Sequence, residues 1–119
     1  MRLILTAALL SLIGAPLWAQ EAETAPGGVL RVLDKITSEV QDIELRTGET
    51  GQVGLLQITL GECRYPADNP AGDAFVYLTI AYRDNPDPVF SGWMIASEPS
   101  ISAMEHPRYD VWPRGCITS

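Results

Sequence analysis

The chain has 119 residues, with 8 basic against 15 acidic side chains and a net charge of −7; it holds two cysteines and one histidine. That acidic balance excludes a nucleic-acid partner, because phosphate backbones need a basic footprint. It also disfavours binding to anionic lipid surfaces. A single histidine excludes any site built on two imidazole ligands, zinc catalysis of the HExxH kind included.

Residues 1–19 carry the three parts of a secretory signal peptide. Met1 and Arg2 form the positive start, Leu3 to Leu17 the apolar stretch, and Leu17-Trp18-Ala19 the cut region with small Ala19 last. The apolar run is shorter than the roughly 20 residues a spanning helix needs, and it is broken by Gly14 and Pro16. Cleavage is therefore expected, with no membrane insertion afterwards and export to the periplasm. It would leave seven basic against fifteen acidic residues, a net charge of −8. The remaining hundred or so residues suffice for one domain with one core.

Residues 20–28 are polar, acidic and end in Pro26-Gly27-Gly28, and read as a flexible leader. A single β-rich domain is expected over 29–119. Its strands are expected at Val29 to Leu33, Val40 to Leu45, Val53 to Leu60, Ala74 to Tyr82, Val89 to Ala96 and Tyr109 to Trp112. Period-2 alternation is clearest in the third, where Leu56, Ile58 and Leu60 share one face. The fourth is apolar on both faces and reads as central in its sheet. Loops fall at Arg64 to Gly72 and at Asp84 to Pro88, where prolines remove donors and fix φ. Ser97 to Glu105 reads as one short helix, with Pro99 in its first turn and Ile101 and Met104 on one face. The expected fold is all-β: a small β-sandwich or open barrel of about six strands with one short helix.

Cys63 and Cys116 are an even pair in a small exported domain and are expected to form a disulfide. They lie too far apart in sequence for a C-x-x-C redox turn. Closing a loop of about 54 residues disfavours the unfolded chain by about 4 kcal/mol in the entropy model.

Three constellations bear on chemistry. His106 with Ser91, Ser97, Ser100 or Ser102 permits a serine/histidine hydrolase, but no G-x-S-x-G elbow is present; packing at the helix exit is the plainer role. Asp68, Asn69 and Asp73, and Asp84, Asn85 and Asp87, offer clustered oxygens without calcium-loop spacing, and fit turn stabilisation better. No metal site and no cofactor is expected. The aromatic residues Trp93, Tyr109 and Trp112, with His106, form the candidate binding surface. It would serve a protein partner or stack sugars, against the plainer reading that most such rings fill the core.

The strings Phe90-Ser91-Gly92-Trp93-Met94-Ile95-Ala96-Ser97, Ala103-Met104-Glu105-His106-Pro107, and Tyr109-Asp110-Val111-Trp112 with Cys116 resemble the alphaproteobacterial domain of unknown function 2155. Val29 to Thr37 and the Cys63 segment look like its N-terminal half. Ile95 departs from an expected aromatic, and Arg108 from an expected aliphatic residue. The resemblance implies a small exported protein and carries over no catalytic residue. The family's gene neighbourhood, beside an accessory subunit of respiratory complex I, implies a role in envelope or respiratory-complex biology. The function expected is thus a non-catalytic periplasmic interaction module whose partner is a periplasmic or membrane-complex protein. The alternatives are a carbohydrate- or peptidoglycan-binding domain and, third, the hydrolase.

Overall fold

The structure is a computed structural model that describes residues 21–118; the signal-peptide reading of residues 1–19 lies outside them. Eight strands follow in chain order: β1 (Ala22–Ala25), β2 (Gly27–Asp34), β3 (Glu39–Arg46), β4 (Thr50–Val53), β5 (Leu56–Pro66), β6 (Phe75–Tyr82), β7 (Phe90–Ile95) and β8 (Tyr109–Ile117). They form two antiparallel sheets. One runs β1-β5-β6-β7, with β4 also on β5; the other runs β3-β2-β8. Among the described residues no helix is long and apolar enough to cross a membrane.

The sheets are built from shared chain. The backbone leaves β1 at Ala25, turns at Pro26 and enters β2, so one extended run serves both sheets. The passage from β3 to β4 does the same through Thr47 to Glu49, pinned by Thr47 N–H donating to Pro26 O at 3.0 Å and Gly48 N–H to Leu60 O at 2.7 Å. With no ladder between β7 and β8 among the described residues, the result is an open barrel with its seam between those strands.

The core follows from strand alternation. Leu56, Ile58 and Leu60 of β5 and Val76, Leu78 and Ile80 of β6 are fully buried, as are Leu30, Val32 and Val111 from the facing sheet to within 2%. β6 lies between β5 and β7; its inner face is fully buried, while Phe75, Tyr77, Thr79 and Ala81 on the other face are half-buried. Pro113 is tolerated within β8 because β8 is an edge strand. Arg108 O accepts Lys35 N–H at 2.7 Å, which makes 108, 110 and 112 the residues bonded to β2. Residues 109, 111 and 113 then face the free edge, where a missing N–H breaks no ladder.

Cys63 of β5 and Cys116 of β8 form a disulfide, their Cα atoms 5.9 Å apart, so the covalent link joins one sheet to the other. It passes over Gly28, the ladder partner of Cys116. A Cβ on Gly28 would lie 3.0 Å from Cys63 Sγ, and one on Gly27 would run into the Leu45 carbonyl. A side chain at Gly28 would push the sheets apart, and one at Gly27 would disrupt the pairing of β2 with β3.

Three expectations are corrected. There is no helix at 97–105 among the described residues, only turns. Ser97 donates both its N–H (3.0 Å) and hydroxyl (2.8 Å) to Asp73 instead of capping a helix. Ile101 stays 61% exposed while Met104 is buried. The two share no packed face, and so short a segment cannot nucleate a helix without one. The strand read as Val53 to Leu60 is a hairpin: Val53 pairs with Leu56 around Gly54-Leu55, with Gly54 at φ +59° as a two-residue turn requires. The stretch read as a leader contains β1, which pairs with Cys63 to Pro66 of β5.

Replacing Gly28 with Val is expected to lower stability by roughly 1–3 kcal/mol through overpacking against the disulfide. Gly115→Ala, where a Cβ meets nothing within 4 Å, is expected to change it little. Urea-denaturation midpoints of the two variants test the contrast.

Candidate functional site

The four candidate residues do not share one surface. Tyr109 is corrected outright: it is 1% exposed and belongs to the core. Its hydroxyl accepts the Leu55 N–H at 3.1 Å and sits under Gly54, where a Cβ would approach it to 2.5 Å. The ring thus locks the β4–β5 turn to β8. His106 is half-buried beside it, ring centroids 5.8 Å apart, and packs at a tilt against Tyr82, ring centroids 4.6 Å apart. Trp112 is half-buried on the outer face of the smaller sheet, opposite Arg31. Trp93 is 41% exposed on the other sheet. A stacking platform that unites both tryptophans with Tyr109 does not exist in this fold.

His106 is held as a turn residue. Its Nδ1 accepts the N–H groups of Arg108 (3.1 Å) and Tyr109 (3.2 Å), so that nitrogen carries no proton. Burial, and secondarily the positive charge of Lys35, hold its pKa below the ordinary imidazole value. Among the described residues no serine hydroxyl hydrogen-bonds to it. Ser97 is engaged by Asp73 and Ser91 lies 3.3 Å from the Tyr77 hydroxyl. The residues of a hydrolase are present in composition but are not assembled.

The acidic loops also serve turns. Asp73 Oδ1 accepts Ala74 N–H at 2.8 Å, and Asn85 Oδ1 accepts Asp87 N–H at 3.0 Å. Among the described residues no three His, Cys, Asp or Glu side chains converge as metal ligands.

Asp34 is the strongest electrostatic node. Its Oδ1 accepts Ile36 N–H (3.0 Å) and Thr37 N–H (3.3 Å) in the β2–β3 turn. Arg108 grips both of its oxygens, with Nη2 2.9 Å from Oδ2. Hydrogen bonding from Arg108, helped by the two backbone N–H groups, holds the Asp34 pKa down to about 2. Arg108 thus joins the start of β8 to the β2–β3 hairpin, through this ion pair and through its carbonyl, which accepts Lys35 N–H at 2.7 Å.

The surface that sequence reading located only in part is the outer face of β7. Trp93 lies opposite Tyr77 of β6 and meets it edge-on, ring centroids 5.4 Å apart at 75°. The Arg64 guanidinium approaches the Trp93 ring to 5.9 Å, and Phe75 and Ile95 form the next cross-strand pair on that face. β7 is also an edge strand. Ala96 N–H donates to Ala74 O at 2.9 Å, which makes 90, 92 and 94 the residues bonded to β6 and turns the backbone groups of Ser91 and Trp93 outward. The aromatic content of FSGWMI was visible in sequence; its position at a free edge depends on strand order.

Asp34→Asn tests the node. A depressed carboxylate pKa stabilises the fold above its unfolded-state value, here 3.8, and that stability disappears as pH falls toward about 2. The variant is expected to be less stable at neutral pH and to lose less on acidification across that window. Thermal midpoints of both proteins between about pH 5 and 2 measure it.

The model of the family described as "Uncharacterized protein conserved in bacteria (DUF2155)" matches residues 28–116. An uncharacterized protein of Rickettsia prowazekii (strain Madrid E) is 32% identical over 104 residues, covering 85% of this chain and 67% of that protein. No solved structure matches. These relatives indicate no catalytic activity. The family-model match over residues 28–116 of the 119 places this chain in the DUF2155 family.

Proposed function

We propose that this chain is an exported, non-catalytic interaction module that captures a protein partner along the free edge and outer face of β7. The observation that carries the reading is Trp93, a large apolar side chain left 41% exposed beside outward-facing backbone groups. Strand addition uses such an edge: main-chain hydrogen bonds supply affinity, and pockets for alternate side chains supply specificity. Tyr77, Phe75 and Ile95 would provide those contacts, with Arg64 over the Trp93 ring. Aromatic and arginine side chains are the residues that most often dominate interface energetics.

Several further features support the reading. A disulfide suits an oxidising compartment such as the periplasm, and residues 1–19 have the pattern of a cleavable signal. The net charge of −7 favours a basic partner surface. The partner class is a periplasmic or membrane-complex protein, in keeping with the family's implied envelope role.

A photoreactive amino acid at Ser91 is expected to give a discrete cross-linked protein species in cells, and the same probe at Val40, on the other sheet, to give none. Trp93→Ala should abolish the Ser91 adduct while the variant stays folded, at a stability cost of about 1 kcal/mol for the aromatic pair plus the loss of its partly buried apolar area. Equal labelling from both positions, or an adduct indifferent to Trp93, would refute the assignment.

A further inference from the structure

The two halves of the disulfide face different surroundings. Cys63 is fully buried within β5. Cys116 is half-buried near the end of β8, and it lines a cleft of about 280 Å³ formed with Pro70, Asp73, Ala96, Ser97 and Arg114. Cys63 does not line that cleft. The opening lies where the barrel is unclosed, between the exit of β7 and the end of β8. Arg114 is exposed and places a positive charge at its wall, which also carries the Asp73 carboxylate that accepts the Ser97 N–H and hydroxyl.

Thiol–disulfide exchange requires a thiolate to reach one sulfur and expel the other. We infer that this disulfide is exchanged from one side only, with a low-molecular-weight thiol entering the cleft and attacking Cys116 Sγ. The new bond joins the incoming sulfur to Cys116 Sγ, and the Sγ–Sγ bond breaks. Its electron pair leaves with Cys63, which takes up the proton released when the attacking thiol ionised. No external oxidant or reductant is needed, since the incoming thiol and the disulfide exchange partners. Cys63 is then a buried thiol beside the mixed disulfide. Burial in apolar surroundings disfavours its thiolate, yet its position makes it the group that resolves the adduct and restores the bridge. Cys116 is thus the modification site and Cys63 the resolving residue.

Reduced glutathione is the probe. The folded, oxidised protein is mixed with it, quenched with acid at early times, alkylated and mapped by mass spectrometry. Glutathione is expected on Cys116 and the alkyl group on Cys63, with an excess of at least about tenfold, since access decides which sulfur is attacked. Arg114→Glu is expected to slow adduct formation several-fold at low ionic strength, with the difference shrinking in high salt. Early glutathione on Cys63 would overturn the inference. So would an adduct that forms only at the rate of global unfolding measured by hydrogen exchange.

Discussion

The covalent bond between Cys63 and Cys116 is the constraint on which the arrangement of the two sheets depends. It links the central region of one sheet, through β5, to the edge strand β8 of the other. It can do so only because Gly28 leaves room for the sulfurs to cross. The sheets are also joined by the shared runs β1–β2 and β3–β4 and by the Tyr109 hydroxyl, which accepts the Leu55 N–H in the β4–β5 turn. Without the bridge, β8 would be held by its ladder to β2, by the ion pair of Arg108 with Asp34, and by Tyr109 in the core.

The seam of the barrel is flanked by two edge strands, β7 and β8, and these are treated differently. β8 carries Pro113 with its missing donor toward the free side, which blunts pairing there. Its entrance is occupied by His106, whose Nδ1 takes the outward N–H of Tyr109. β7 has no proline, is exposed at Ser91 and Trp93, and presents its backbone beside an aromatic face. The contrast between a protected edge and an unprotected one is the physical basis for assigning recognition to β7.

Much of this was legible in the sequence, for reasons particular residues make clear. Alternation in Leu56 to Leu60 and in Ala74 to Tyr82 identified two strands and their buried faces, because each has a core on at least one side. The cysteine pair was legible because the chain offers only one pairing. β1 was not legible: of its four residues only Ala25 is buried, so an edge strand here carries no periodic signal. β4 was hidden because Val53, Leu55 and Leu56 form an apolar run that masks the Gly54 turn. The helix was misread because spacing alone cannot reveal that Asp73, twenty-four residues earlier, takes the Ser97 N–H and hydroxyl. Of the candidate binding residues, type alone could not separate the exposed Trp93 from the buried Tyr109. Both are large aromatics in strands, and only strand order assigns one to an edge and the other to the interior.

The central claim is that the sheets are clamped by oxidation. The most direct test compares urea unfolding of the domain with its bridge intact and after reduction and blocking of both thiols. The account predicts a loss of about 4 kcal/mol, the entropy-model value for closing a loop of this length, with β8 the first strand to lose hydrogen-exchange protection. Unchanged unfolding free energy, or two free thiols in protein purified from its native compartment without reductant, would contradict it.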